Sequence, residues 1–149
     1  MTQFDRSFNR KSLLRLILAA AVLVLLFFLL RGVFGGGADL REPEGRQRYL
    51  AGLGWEIDAA SEQHKTVRIP AKLDGVLADY NELQRACGRD LTPHCGERCE
   101  QYSYTVTNYP DPEQNVLVTL YIQGKELIAG DIHSTALDGF MDGLKKRDA

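Results

Sequence analysis

"QYSYTVTNYPDPEQNVLVTLYIQGKELIAGDIHS", Gln101 to Ser134, holds three runs of apolar residues separated by turn-forming residues. Tyr102, Tyr104 and Val106 alternate in the first run, and Val116, Val118, Leu120 and Ile122 share one face of the second. The segment "PDPEQN" is rich in turn formers and "QGKE" is short enough for a tight hairpin. The stretch therefore reads as an antiparallel meander of three strands.

Working back along the chain, "AKLDGVLADYNELQRAC" places Leu73, Val76, Leu77, Tyr80, Leu83 and Cys87 at helical spacing along one stripe, with Gly88 where a helix would stop. Before it, "KTVRIP" is a short strand closed by Pro70. "WEIDA" alternates Trp55, Ile57 and Ala59 as a half-buried strand does, and "RQRYLAGLGW" is a short helix ended by Gly54. Beyond the meander, "TALDGFMDGLKKR" puts Leu137, Phe140, Met141 and Leu144 on one helical face. It ends in Lys145, Lys146 and Arg147, cations that suit a helix C-terminus. The expected order is α-β-β-α-β-β-β-α. This is an α+β domain: the three-strand meander, plus one or two N-terminal strands, forms an antiparallel sheet packed on one face by two to three helices.

The N-terminal part has a different character. Up to Arg31 there are five basic residues against one acidic, whereas from Gly32 onward thirteen basic residues face nineteen acidic ones. The basic head encloses "RLILAAAVLVLLFFLLR", in which Leu16 to Leu30 carry no polar side chain. Those fifteen residues rise only about 22 Å, but Leu13 to Phe34 reaches about 33 Å when Arg15 and Arg31 extend to the two interfaces, enough to span a bilayer. A cleaved signal peptide, cut after Ala38, is the competing reading. The length of the apolar run and the position of Arg31 immediately after it favour an uncleaved anchor. Arg10, Lys11 and Arg15 precede the run, so the positive-inside rule places the N-terminus in the cytoplasm and the remainder outside. The organisation read from sequence is a basic cytoplasmic tail at 1–12, a transmembrane helix at 13–34, a Gly-rich linker at 35–45 and an extracytoplasmic domain at 46–149.

Outside the cytoplasm, nearby thiols can persist as a disulfide, which bears on "CGRDLTPHCGERC", Cys87 to Cys99. A zinc site could draw on Cys87, His94, Cys95 and Cys99. However, His94 and Cys95 are adjacent and would need a tight turn to share a metal. A catalytic thiol would need Cys95 or Cys99 beside His64, His94 or His133, and no motif brings them together. One disulfide with a spare thiol is the leading reading, Cys87 to Cys95 being the favoured pair and Cys99 a small buried hydrophobe; three unpaired thiols is the plain alternative. Asp131 and His133 lie on one face of a strand and Asp138 and Asp142 four apart on the expected last helix. They could form a metal site, though a solvated strand end and helix surface explains them more simply.

Three segments, "IPAKLDGVLADYNELQRACGRDL", "YSYTVTNYP" and "GDIHSTALDGFMDGL", in this order behind an apolar N-terminal segment, resemble a bacterial family known only as a domain of unknown function (number 4830). The resemblance runs from about Leu50 to Leu144. It implies a membrane-anchored outer domain and carries no catalytic, ligand or cofactor residue with it. In that family the positions of Cys87 and Cys95 are more often polar, that of Cys99 apolar, and that of His133 often cysteine.

An outer domain with net negative charge is a poor partner for nucleic acid. Phosphate-loop, nucleophile-elbow, paired-histidine and calcium-loop motifs are missing from the sequence, and no cofactor is implied. The tyrosines Tyr102, Tyr104 and Tyr121 could offer an aromatic surface, although core packing accounts for the first two. Two functions of different classes remain. One is a non-enzymatic, membrane-tethered module of the cell envelope that binds a protein or peptide, and it predicts an exposed apolar or aromatic patch. The other is a thiol or metal enzyme built on Cys87–Cys99, and it predicts Cys95 or Cys99 exposed beside His94 or His133.

Overall fold

A computed structural model describes residues 38–111 and 113–145. The basic tail with Arg10 and Lys11, the expected transmembrane helix 13–34 with Arg15 and Arg31, and the end of the expected last helix beyond Lys145 lie outside the described residues. Among the described residues no helix is long and apolar enough to cross a membrane.

The fold is α+β. Helix α1 (Pro43–Gly52) is followed by strand β1 (Ile57–Arg68), helix α2 (Val76–Ala86) and a short 3-10 turn (Thr92–His94). Strands β2 (Arg98–Val106), β3 (Val116–Gln123), β4 (Glu126–Ser134) and β5 (Met141–Gly143) complete it. The five strands form one antiparallel sheet in the order β1-β2-β3-β4-β5. The meander expected over 101–134 is its centre.

Alternate residues of the central strands feed two apolar clusters, as a period of two requires. Val116, Val118, Leu120 and Ile122 join Tyr104, Val106 and Ile132 beneath α1, where Leu40, Leu50 and Trp55 cover them. Cys99, Ala129 and partly buried Tyr121 point the other way, towards Ile69, Leu91 and Tyr80 of α2. The expectation that helices cover one face is thus corrected: each face receives one helix. Leu40 is buried and α1 begins at Pro43, so residues 40–45, read as linker from their composition, belong to the folded unit.

The two N-terminal strands expected at "WEIDA" and "KTVRIP" are one strand with a bulge. Between the pairs Asp58↔Thr105 and Gln63↔Ser103, β1 advances five residues while β2 advances two. Ser61 in the bulge accepts the Thr105 N–H at 2.8 Å, so the break in the ladder is hydrogen-bonded. The neighbouring Glu62 reaches Arg46 of α1. The Arg46 guanidinium is buried. It donates to Glu62 Oε2 at 2.9 Å, to Tyr104 Oη at 2.6 Å and to the carbonyls of Leu40 and Arg41 at 3.0 and 2.8 Å, and it lies 3.6 Å from the Tyr102 ring centroid. A buried guanidinium without such partners would be strongly destabilising. Tyr104 also donates to Glu62. Burial pushes the Glu62 carboxyl up, but the hydrogen bonds from Tyr104 and Arg46 outweigh it and hold the group below its ordinary range.

The expected helix after Ser134 is replaced by a loop and β5. Leu137 is fully exposed and Met141 is 51 % exposed, while Leu144 is buried, so the four apolar residues do not share a face. Gly143 is the physical reason. A Cβ placed there would stand 2.3 Å from Cys87 Sγ, so the chain comes in against the end of α2 as a flat strand. Leu144 then donates its N–H to the Gly130 carbonyl at 3.0 Å and packs on Gly130.

Gly143→Ala should lower stability by about 1–3 kcal/mol through overpacking. Adding Cys87→Ala should recover most of that loss, because it removes the sulfur the new methyl meets. Urea unfolding of the two single variants and the double variant checks this coupling.

Candidate functional site

Helix α2 buries its apolar stripe only in part: Leu73, Tyr80, Leu83 and Cys87 are half-buried, and the first turn stays in solvent. Val76 is 83 % exposed and Leu77 37 %, whereas Asn81 and Gln84 are buried. The helix also starts late, at Val76 rather than Ala71, behind Gly75 with a φ of 52° that most side chains avoid.

Polar atoms hold α2 in place. Gln84 Oε1 accepts the Gly130 N–H at 2.9 Å, just past the last β4–β5 pair, where Leu144 takes only the Gly130 carbonyl. Asn81 Oδ1 accepts the Leu91 N–H at 2.7 Å, and its amide donates to Asp90 at 2.9 Å. Hydrogen bonds from Thr92, then Asn81 and Arg85, hold the Asp90 carboxyl well below its ordinary range. Tyr80 reaches across to the sheet and donates to Asp131 Oδ2 at 2.6 Å.

Because these contacts set the position of the helix, its apolar stripe and the sheet enclose a groove of about 670 Å³. Its helix wall is Val76, Leu77, Tyr80 and Leu83, extended by Leu73 from the segment before the helix. Its floor is Val67, Gln101, Thr119 and Tyr121, with Ile69 and Pro70 at one end and His133 and Met141 at the other. The volume lies in the range of small-ligand sites, and the mix of mainly apolar walls with a few polar groups is typical of them.

The polar group with the most consequence is Asp131, only 2 % exposed. Its two oxygens are taken by Tyr80 and by His133, whose Nδ1 lies 2.7 Å from Oδ1. Holding Nδ1 at Asp131 leaves the other ring nitrogen, Nε2, for the groove. The hydrogen bond to Asp131 pushes the His133 pKa up, partly opposed by burial. Burial, with the Asp131 charge adding to it, pushes the phenols of Tyr80 and Tyr121 up, the latter to about 12, so both remain neutral donors.

The cysteines lie elsewhere. Cys87 Sγ faces Gly143, and Cys95 Sγ lies 3.9 Å from the Leu91 carbonyl. Cys99 is buried on β2, where burial pushes its thiol up. All three are free thiols, including the Cys87 and Cys95 favoured for pairing. His94 is turned to Gln123 at 2.7 Å, and His64 to Glu100, stacked on Tyr102. Among the described residues no group of three or more His, Cys, Asp or Glu is arranged to hold a metal. Asp131 and His133 are brought together as their shared strand face required. Asp138 sits in the loop, and Asp142 pairs across from Ile132. Tyr80, the third member of the Asp131 cluster, carried no signal beyond its place in the apolar stripe.

Residues 49–132 match a family described as a domain of unknown function (DUF4830). No curated protein and no solved structure matches the chain.

Tyr80→Phe should leave a buried Asp131 oxygen without its donor and cost about 1–3 kcal/mol in urea unfolding. The His133 pKa is raised on folding, so its contribution to stability is complete below about pH 6.5 and is lost as pH rises through the higher folded value. His133→Gln should flatten that decline. A slope identical in the two proteins would show that His133 is not the titrating group.

Proposed function

The chain belongs to the family described as a domain of unknown function (DUF4830), and from that premise we propose that it is a membrane-tethered, non-enzymatic binding module of the bacterial cell envelope, with the groove between α2 and the sheet as its binding site. The observation that carries the reading is the exposure of Val76, Leu77 and Met141 along the rim of an apolar groove. A helix stripe left facing a groove is a cost that an apolar ligand offsets by removing its surface from water. The tether is residues 13–34, with Arg10, Lys11 and Arg15 on the cytoplasmic side and Arg31 on the outer side. The arrangement gives the domain an outward orientation.

A thiol enzyme built on the Cys87–Cys99 stretch has less support. Cys99 is buried with its thiol pushed up, the opposite of what a nucleophilic thiolate needs, and neither Cys95 nor Cys99 has a hydrogen bond to a histidine among the described residues. The Asp131–His133 pair has the geometry of an oriented base, but no hydroxyl or thiol is hydrogen-bonded to Nε2 among the described residues.

Two measurements test the two halves of this reading. Protease added to intact cells stripped of their wall should remove the domain while leaving the segment up to residue 34 in the membrane; a fully protected chain would place the domain in the cytoplasm. For the groove, the full chain in lipid nanodiscs should bind octanol with chemical-shift changes at the methyls of Leu73, Leu77, Leu83 and Met141. Leu77→Asp should weaken binding by about tenfold or more. The absence of any change at these methyls would remove the groove as a binding site.

A further inference from the structure

We propose that the ligand of the groove is a straight-chain carboxylic acid, its alkyl chain lying along α2 and its carboxylate on His133 Nε2. The proposal rests on the binding-groove reading above and adds the identity of the ligand.

The shape of the groove argues for an extended chain. Its lining crosses the sheet from Val67 on β1 to His133 on β4. Val67 lies opposite Cys99 of β2, while His133 lies opposite Leu117, itself opposite Thr105. Those two rows are six residue steps apart along β2, a span of roughly 20 Å.

The chemistry of the lining argues for hydrocarbon over peptide. The floor is the face of a sheet, whose central backbone groups are already committed to the ladders between β2, β3 and β4. A peptide laid there would bury amide groups with few partners, whereas an alkyl chain has none to satisfy. Thr119 adds little polarity, because its hydroxyl is paired with Ser103 at 2.9 Å.

The head group follows from the charges. Both oxygens of Asp131 are already bonded, one of them to His133 Nδ1. An imidazole held in this way by a buried carboxylate is favoured in its protonated form and then presents Nε2–H to the groove, a charge-assisted donor for a carboxylate. Arg68, at the far end, adds a second cation to the lining; Asp79, exposed on α2, is the remaining acid. An amine would have to approach His133, and an alcohol would gain only a neutral hydrogen bond.

The test compares octanoate, octanol and octylamine by calorimetry on the full chain in lipid nanodiscs, with empty nanodiscs subtracted. Octanoate should bind about tenfold or more tighter than the other two, consistent with a charge-assisted bond. Extending the acid from hexanoate to octanoate to decanoate should tighten binding roughly fourfold per methylene. His133→Gln should abolish the preference for the acid, bringing octanoate affinity down to that of octanol in the same variant. Octanol or octylamine binding as tightly as octanoate would overturn the proposal while leaving the groove as an apolar site. Binding by none of the three would overturn the groove reading and this proposal together. The comparison of head groups on the unmodified chain stands even if the variant is unstable.

Discussion

Helix α2 is fixed to the sheet by directional polar bonds, and the site depends on that constraint. An eleven-residue helix is marginal by itself and acquires its stability from tertiary contacts. Apolar packing is non-directional and would draw the stripe of Val76, Leu77 and Leu83 down onto Tyr121. Instead the Gln84–Gly130 and Asn81–Leu91 bonds, from its buried polar face, and the Tyr80–Asp131 bond, from the stripe itself, set the position of the helix. The groove is what remains between the stripe and the sheet.

The opposite face of the sheet supplies the rigidity that such a site requires. There the apolar residues of β2, β3 and β4 are closed over by Leu40, Leu50 and Trp55, and the buried Arg46 joins α1, the segment before it, the bulge of β1 and two tyrosines of β2. The two faces thus divide their tasks. One is packed to completion, and the other presents its side chains to a cavity from strands that cannot shift independently, which is how a binding geometry is held.

What could be read from the sequence followed from local period. The meander was legible because Val116, Val118, Leu120 and Ile122 alternate, and Asp131 and His133 were legible as neighbours because residues two apart on a strand share a face. The stripe of α2 was legible as apolar but not as exposed, since its fate is decided by Gln84 and Asn81, whose partners lie up to 46 residues away. The last helix was misread for a related reason. Leu137, Phe140, Met141 and Leu144 have helical spacing, yet Gly139 and Gly143 in the same segment permit a close approach to Ser134 and Cys87 that no helix could make. No local period marks Arg46 for burial; the bulge that delivers Glu62 to it is set by pairing between strands.

The central claim is that the first turn of the apolar stripe of α2, Val76 and Leu77, stands off the sheet in the unliganded protein. Nuclear Overhauser contacts in the methyl-labelled full chain test it most directly. The account predicts cross-peaks between the rings of Tyr80 and Tyr121, which meet edge-on with centroids 6.2 Å apart, and none between the Val76 methyls and any side chain of the sheet. Strong cross-peaks from the Val76 and Leu77 methyls to the Tyr121 ring and Thr119 would mean that the groove is closed by its own walls, and would contradict the account.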